Sequence, residues 1–266
     1  MNLKKAELKR IEAFAVKTAI EAGKVLMRYY RQNKLNVREK ARSSLVTQAD
    51  VKSEKLIKDK LERAFPQFMF LGEESGQSAE QNGITPMWHV DPLDGTTNFV
   101  HGFPMFCVSI GLAIGNTPLV GVIHIPTLKE TMHASRGNGA RFNGKKMHVS
   151  RRTKISECLF TTGFAYIQDE AKLTPEIKRF EKVHLEARAV RRPGAAALDL
   201  AYVAAGIFDG FWEKNLASWD VCAGACLVEE AGGKVTNFSG APFRLSEREI
   251  LATNKIIHAE MMEILR

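Results

Sequence analysis

Residues 88–99, Trp-His-Val-Asp-Pro-Leu-Asp-Gly-Thr-Thr-Asn-Phe, are the most informative stretch of the chain. The apolar run over 87–90 predicts a strand that delivers Asp91 at its end, and the proline and glycine that follow predict two sharp bends. Asp91 and Asp94 can therefore converge on a hard cation, which prefers oxygen ligands, and the carbonyl of Leu93 could point the same way. The stretch predicts a strand-and-turn metal site.

The residues just after this turn suit a phosphate group. Gly95, Thr96 and Thr97 lie where a short helix could begin, with free backbone N–H groups at its positive end. Metal and phosphate sites would then be adjacent. The alternative is an Asp-capped turn in which Asp91 and Asp94 only accept hydrogen bonds from local amides.

Three further acids strengthen the metal hypothesis. Glu73, in the run Leu-Gly-Glu-Glu-Ser-Gly over 71–76, follows another apolar strand, where a carboxylate is costly unless it is solvated or metal-bound. Asp220 comes near the start of a predicted helix of small residues, and Asp50 is most simply the N-cap of a helix over 50–64. A charged surface loop at 71–76 and ordinary helix acids elsewhere remain the alternatives.

The rest of the chain reads as a mixed α/β pattern with substantial antiparallel sheet. Gly115-Asn116 predicts a hairpin between two of the strands. Two sandwich-like halves, 1–150 and 151–266, are expected to meet near residue 150. Periodicity predicts helices over 3–31, 50–64, 175–185, 194–205 and 218–231 and a closing helix, with strands near 68–71, 87–90, 107–114, 119–125, 158–162, 207–212 and 250–253.

Composition narrows the class of protein. Hydrophobic residues at 45% and charged residues at 26% are typical of a soluble enzyme, and no apolar run approaches the length of a membrane span. Residues 1–31 carry charges throughout and do not resemble a signal peptide, which predicts a cytoplasmic protein without membrane contact. The four cysteines lack a metal-ligand spacing and are expected to be buried free thiols. The net charge of +8 fits anionic small molecules, nucleic acid or an acidic partner equally.

Taken together, the motifs resemble those of the inositol monophosphatase family of metal-dependent, lithium-sensitive phosphatases. Residues 72–75 match the family's G-E-E-S element, 91–97 match D-P-[IL]-D-G-T-T, and 219–224 match W-D-x-x-A-G, in the expected order. The resemblance covers essentially the whole chain. It implies a layered αβαβα sandwich of the sugar-phosphatase type, with the metal site between the two halves, and a homodimer.

The resemblance also implies the metal ligands. Glu73, Asp91 and the Leu93 carbonyl would hold one Mg²⁺, and Asp91, Asp94 and Asp220 a second, with a third, weaker ion held by Glu73 and water. Carboxylates alone would repel a phosphate dianion, whereas two or three Mg²⁺ ions make the same site attractive to it. The acids are therefore consistent with one metallated set.

Catalytic and substrate-binding roles carry over in the same way. Thr96 with Glu73 would orient the attacking water, with Asp50 supporting that network. Glu213 would bind a substrate hydroxyl. The remaining substrate contacts implied by the resemblance are Asp94, Gly95, Thr96, Thr97, Arg191, Ala196 and Asp220.

The expected reaction is hydrolysis of myo-inositol monophosphate, a small phosphorylated polyol, to myo-inositol and phosphate. Related phosphatases act on fructose bisphosphate, histidinol phosphate, NADP or phosphoadenosine compounds, so the substrate stays open. The run over 191–206 resembles the bacterial branch that also serves in transcription antitermination and contacts RNA polymerase and Nus factors. An Ala-rich helix packed beside the active site explains the same run.

Overall fold

The computed structural model describes residues 3–32, 37–41, 44–77, 84–164 and 169–266. The helices are α1 (Lys5–Met27), α2 (Gln48–Ala64), α3 (Thr96–Val100), α4 (Glu170–Glu186), α5 (Ala196–Ala204), α6 (Ser218–Glu230) and α7 (His258–Leu265). The strands are β1 (Val37–Ala41), β2 (Ser44–Thr47), β3 (Met69–Gly72), β4 (Gly76–Gln77), β5 (Met87–Asp94), β6 (Cys107–Ile114), β7 (Thr117–Ile125), β8 (Glu130–Ser135), β9 (Ala140–Phe142), β10 (Lys145–Lys146), β11 (Leu159–Thr162), β12 (Ala189–Arg191), β13 (Gly210–Lys214), β14 (Lys234–Thr236) and β15 (Glu249–Thr253).

Helices α1 and α2 form the first layer. In α1 the apolar residues recur every three or four positions, so one face of the helix is apolar and packs on the large sheet, chiefly against β7. The long N-terminal helix predicted from periodicity is therefore confirmed, with slightly shorter ends. The buried apolar residues of this face are Leu8, Ile11, Ala15, Ala19, Ala22 and Leu26.

Helix α2 begins with a capping box rather than with Asp50 as its cap. Thr47 is the N-cap, and its hydroxyl accepts a hydrogen bond from the Ala49 N–H at 3.0 Å. Asp50 is the third residue of the helix and accepts from the Thr47 N–H at 3.0 Å. The expectation that Asp50 caps this helix is wrong, because Thr47, three residues earlier, is the N-cap.

The second layer is an eight-stranded sheet in the order β10-β9-β8-β7-β6-β5-β3-β4, antiparallel except for the β3–β5 pair. The predicted hairpin at Gly115-Asn116 joins β6 to β7. Strand β5 is buried along its whole length and continues to Asp94, four residues beyond the predicted end. Its pairing with β6 is irregular between Asp91 and Asp94, which places both carboxylates at the bulged end of one strand.

Helices α5 and α6 form the middle layer, and small residues let them approach their neighbours closely. A Cβ at Gly121 on β7 would lie 2.2 Å from the Ala223 carbonyl oxygen of α6. A Cβ at Gly224 on α6 would lie 2.4 Å from the Leu200 Cβ of α5. The small residues that the sequence shows in α6 are therefore explained by packing on two sides.

A five-stranded sheet in the order β12-β11-β13-β15-β14 forms the fourth layer. Strand β11 pairs in parallel with β12 and β13, and the remaining pairs are antiparallel. Helices α4 and α7 cover its outer face as the fifth layer. Helix α4 starts at Glu170 with Asp169 as its N-cap, several residues before the predicted start.

The layer order is helix, sheet, helix, sheet, helix, which confirms the expected αβαβα sandwich of mixed α and β structure. One apolar cluster contains Ile123 and Met132 of the large sheet together with Leu200 of α5 and Ala252 of the small sheet. The division into two halves at residue 150 stays a prediction, because this apolar cluster contains residues from both halves.

Two smaller expectations concern helices and cysteines. None of the helices within the described ranges is long and apolar enough to span a membrane. All four cysteines, Cys107, Cys158, Cys222 and Cys226, are buried free thiols, as predicted.

Candidate active site

Four acidic side chains from three parts of the fold lie close enough to influence one another. Asp91 and Asp94 stand at the end of β5, Glu73 directly follows β3, and Asp220 lies in the first turn of α6. The parallel pairing of β3 with β5 brings Glu73 beside Asp91, and the Glu73 N–H donates to the Val90 carbonyl at 3.1 Å. Helix α6 packs across β5 and points its N-terminus at the same place.

Backbone amides anchor one oxygen of each aspartate. The Leu93 N–H donates to Asp91 Oδ1 at 2.9 Å, and the Ala197 N–H donates to Asp94 Oδ2 at 2.7 Å. The Ala217 N–H donates to Asp220 Oδ2 at 2.7 Å, closing the first turn of α6. Asp91 and Asp220 are thus oriented by neighbouring backbone, whereas Asp94 is oriented by the first turn of α5.

The electrostatic environment favours a cation. The pKa of Asp94 is raised to about 7, chiefly by burial, with the hydrogen bond from the Ala197 N–H opposing the shift and the nearby Glu73 carboxylate adding to it. Burial also raises the pKa of Asp91 and of Asp220 well above the usual value, and in both cases neighbouring carboxylates add to the effect. Negative charge in this cluster is costly without a positive partner, and a divalent cation would remove that cost.

The donor chemistry fits Mg²⁺, although the ligands do not yet surround one point. Carboxylates and a backbone carbonyl are the hard oxygen ligands that this ion takes. The Leu93 carbonyl lies between Asp91 and Asp94 and accepts a hydrogen bond from Thr96 Oγ1 at 3.0 Å. Across the described ranges, no three His, Cys, Asp or Glu side chains are arranged so that they could bind one metal ion together. The acids are therefore neighbours that a bound ion would draw together.

Thr96 and Asp50 are brought together as the sequence predicts. Thr96 Oγ1 lies 3.2 Å from Asp50 Oδ1 and is buried with it. Burial raises the pKa of Asp50 to about 6, and the hydrogen bonds from Thr47 partly oppose the shift. Gly95 adopts a φ of 91°, and a Cβ there would lie 2.9 Å from the Met105 carbonyl oxygen, so the turn into α3 requires glycine.

A cleft of about 340 Å³ opens beside the acids, between the end of β5, the start of α5 and the end of β13. Glu213 lines it from β13, with its carboxylate against Gly163, where a Cβ would lie 2.2 Å from Oε2. Ala196, the first residue of α5, also lines it. The predicted site residues on its wall are Asp94, Gly95, Thr97, Ala196, Glu213 and Asp220.

Arg191, which the resemblance places at the substrate pocket, does not line this cleft, whereas its neighbour Arg192 does. Arg192 lines the cleft, with its guanidinium 5.0 Å from the centre of the Phe164 ring. Arg191 lines a separate cavity of about 550 Å³ beside β12, together with Arg152 and Arg188. Side chains alternate in direction along an extended chain, so adjacent arginines face different cavities.

Two residues that the sequence analysis did not select also shape the cleft. Asn98 Nδ2 donates to the Met105 carbonyl at 2.6 Å and to the Pro193 carbonyl at 2.8 Å, tying α3 to the Arg192 loop. Asp199 of α5 is buried at the cleft, and no described group donates to its Oδ1 within hydrogen-bond geometry. Burial and the nearby Glu213 raise the pKa of Asp199 well above its usual value. Its position in the first turn of an Ala-rich helix was the available signal.

Comparisons with known proteins show the family of the chain. A profile of the inositol monophosphatase family matches residues 7–266. The chain is 39% identical over 254 residues to an inositol monophosphatase of Mesembryanthemum crystallinum, covering 94% of each chain. It is 40% identical over 243 residues to the Nus factor SuhB of Pseudomonas aeruginosa, covering 90% of each. The solved structure of an inositol monophosphatase from Anabaena (Nostoc) superposes with a TM-score of 0.86 at 41% identity, covering 97% of this chain and 96% of that one.

The profile match runs over nearly the whole chain, and the relatives match over most of their own lengths. The layered fold and the acids at the end of β5 agree with that match. This phosphatase belongs to the inositol monophosphatase family.

Proposed function

We propose that the protein is a Mg²⁺-dependent phosphatase that hydrolyses myo-inositol monophosphate to myo-inositol and inorganic phosphate. The observation that carries the proposal is the gathering of Glu73, Asp91, Asp94 and Asp220, each close enough to raise another's pKa, beside a cleft lined by Glu213. A site that penalises its own negative charge is suited to bind divalent cations first and a phosphate dianion second.

In this proposal Glu73, Asp91, Asp94, Asp220 and the Leu93 carbonyl hold two or three Mg²⁺ ions. Bound there, the metal supplies positive charge for the phosphate and lowers the pKa of a bound water. The family match is consistent with metal dependence, and the oxygen-only donor set favours Mg²⁺ over softer metals.

The chain's own groups then position the reactants. Thr96, hydrogen-bonded to Asp50, and the Glu73 carboxylate would orient the water whose oxygen attacks phosphorus. The new O–P bond would form as the ester P–O bond breaks, and one proton of the attacking water would pass to the Glu73–Thr96 network. A solvent water would protonate the leaving inositol oxygen, and the network would return its proton to solvent, so the net change is one water added across the P–O bond. The N–H groups at Gly95, Thr96 and Thr97 would hold the phosphate in line.

The polyol would lie in the cleft of about 340 Å³. Glu213 would accept hydrogen bonds from inositol hydroxyls, and Asp94, Ala196 and Asp220 would border the ring. Arg192 replaces Arg191 as the basic residue at the mouth of the cleft. A site that hydrogen-bonds several hydroxyls discriminates against esters that lack them.

A panel of phosphate esters tests the substrate. Inositol 1-phosphate, fructose 1,6-bisphosphate, histidinol phosphate and NADP would be compared by kcat/KM at one Mg²⁺ concentration. The proposal expects the inositol ester to be turned over with the highest kcat/KM. A wide preference for any of the other esters would contradict it.

A second role is favoured by one observation: a relative with 40% identity over 90% of its length carries the name Nus factor. We propose that this chain also contacts RNA polymerase or a Nus factor, and that it acts as a homodimer. Affinity capture of the tagged protein from its source cell, with mass spectrometry of the retained proteins, tests the first point. Recovery of neither polymerase nor Nus factors would count against it.

A further inference from the structure

Glu54 of α2 is a buried carboxylate that none of the roles above uses. Its side chain is only 3% exposed, although glutamate is rarely buried without a partner. It lies one helical turn after Asp50, on the face of α2 that is turned toward the large sheet. A buried acid in this place calls for an explanation.

Both of its oxygens accept backbone hydrogen bonds from one turn. Oε2 accepts from the Glu74 N–H at 2.8 Å, and Oε1 accepts from the Ser75 N–H at 2.7 Å. These amides belong to the two residues that directly follow Glu73. The turn between β3 and β4 is therefore fastened to α2 through a single side chain.

The approach is close and leaves little freedom. A Cβ at Gly72 would lie 2.4 Å from Glu54 Oε2, so the carboxylate reaches the turn only because residue 72 is glycine. On the opposite side, the Glu73 N–H donates to the Val90 carbonyl of β5 at 3.1 Å. Glu73 is thus held between α2 and the strand that carries Asp91.

The same helix also contacts the second ligand-bearing turn. Ser53 Oγ donates to the Pro92 carbonyl at 3.1 Å, between Asp91 and Asp94. Adjacent residues of α2 therefore hold the Glu73 turn and the Asp91–Asp94 turn at a fixed spacing. The spacing of carboxylates that share one ion sets how well they bind it.

We propose that Glu54 is a positioning residue: it fixes the turn after Glu73 so that this carboxylate faces Asp91 at the spacing a divalent cation needs. The inference rests on the proposed function, which assigns Glu73 and Asp91 as metal ligands. Glu54 itself touches neither substrate nor metal, so its effect belongs to metal affinity and not to the chemical step.

The variant Glu54→Gln tests this with almost no change of shape. An amide keeps one acceptor oxygen and places an NH₂ group against the other backbone N–H, so one of the two hydrogen bonds is lost. Glu62→Gln is the matched control, since Glu62 is on the exposed face of the same helix. Both variants lose one negative charge from α2.

The first measurement is amide hydrogen exchange of the metal-free protein. We expect the Glu74 and Ser75 amides to exchange about tenfold faster or more in Glu54→Gln than in the wild type, and unchanged in Glu62→Gln. Equal exchange rates at these two amides in all three proteins would overturn the proposed clamp. This readout does not depend on the substrate or on the metal.

The second measurement is Mg²⁺ binding by calorimetry without substrate. We expect roughly tenfold to 100-fold weaker binding in Glu54→Gln, as for other changes behind a metal ligand, and no change in Glu62→Gln. Phosphate release by Glu54→Gln should recover toward the wild-type kcat at high Mg²⁺. A lower melting temperature with unchanged Mg²⁺ affinity would show a structural role only and would overturn the proposal.

Failure of the proposed function and failure of this inference give different experimental results. If the wild type binds no Mg²⁺, the metal assignment of the proposed function fails, whereas the exchange result still decides whether the clamp exists. If Glu54→Gln does not fold, Glu54→Asp replaces it, with the carboxylate withdrawn by one methylene and the same expectations. Loss of the fold in both variants would make Glu54 a requirement for folding and overturn its positioning role.

Discussion

At the residue scale, two adjacent arginines face different cavities, and only one of them borders the proposed substrate site. Arg192 lies on the cleft wall over Phe164, within the set that includes Glu213 and Asp220. Arg191 is the last residue of β12 and lines the other cavity with Arg152 and Arg188, and its guanidinium donates to the Val190 carbonyl at 3.1 Å. Each arginine therefore serves as a control for the other.

Arg192→Ala is expected to lower kcat/KM for inositol 1-phosphate by about tenfold, the scale of one lost charge-assisted contact. Arg191→Ala is expected to stay within about twofold of the wild type, because its side chain does not reach the cleft. Steady-state kinetics at saturating Mg²⁺ measure both values. A larger loss for Arg191→Ala than for Arg192→Ala would place the substrate on the other cavity.

Asp91, Asp94 and Glu73 could be identified from the sequence as candidate ligands. Each stands at or shortly after the end of an apolar run and next to glycine or proline. The signal for each of these acids lies in the residues next to it in the chain. Asp199 and Glu54 could not be predicted in the same way, because their roles depend on groups distant in sequence. Glu54, for example, meets amides about twenty positions later, which no local pattern reveals.

At the element scale, the contact between α5 and α6 depends on Gly224. Glycine inside a helix ordinarily destabilises it by about 1 kcal/mol relative to alanine. Here a Cβ would lie 2.4 Å from the Leu200 Cβ, an atom next to the backbone that cannot turn away. The packing cost therefore outweighs the helix propensity.

We expect Gly224→Ala to lower the free energy of unfolding by up to about 2 kcal/mol, since overpacking costs ~1–3 kcal/mol and the helix propensity returns about 1. Urea unfolding followed by circular dichroism measures the change. An alanine variant more stable than the wild type would mean that α5 and α6 have room to separate.

Long elements were predictable, and short ones were not. Helix α1 carries six buried apolar residues at helical spacing, and β6 is an apolar run interrupted only by Ser109 and Gly111, so both stand out in the sequence. Strands β12 and β14 have three residues each, too few for any period to show. Strand β8, Glu-Thr-Met-His-Ala-Ser, does alternate polar and apolar residues from Thr131 to Ser135, so it was predictable although the sequence-based assignment of strands left it out.

At the scale of the whole molecule, the buried acids link stability to pH. Asp94 has a folded pKa of about 7 and Asp50 one of about 6, both above the ordinary aspartate value. A raised folded pKa means that the folded state binds the proton more tightly than the unfolded state. The contribution of these groups is therefore complete at low pH and is lost as the pH rises through 6 and 7.

Without metal, the free energy of unfolding is expected to fall between about pH 4 and pH 7, at a slope of order 1 kcal/mol per pH unit. Saturating Mg²⁺ should reduce this slope, since the cation stabilises the ionised carboxylates. Urea unfolding in EDTA and in Mg²⁺ measures both slopes. Asp94→Asn should flatten the metal-free slope, and Asp59→Asn, on the exposed face of α2, should not. A metal-free stability that rises over this range would contradict the account.

The arrangement of the layers could be expected from the family resemblance but not from the residues alone. Periodicity identifies elements, yet the parallel pairing of β3 with β5 and the central position of α5 and α6 depend on contacts across the whole chain. Those contacts place Asp220 of the second half against Asp91 of the first. The same contacts place Arg192 on the cleft wall in the position predicted for Arg191.

The central claim is a metal-dependent phosphate ester hydrolase built on Asp91. Its most direct test is phosphate release from inositol 1-phosphate, with and without Mg²⁺, by the wild type, Asp91→Asn and the control Asp59→Asn. The account predicts Mg²⁺-dependent release that falls by roughly 100-fold or more in Asp91→Asn and is retained in Asp59→Asn, since a lost ligand removes several kcal/mol of charge stabilisation. No release by the wild type at any Mg²⁺ concentration, or equal release by Asp91→Asn, would contradict it.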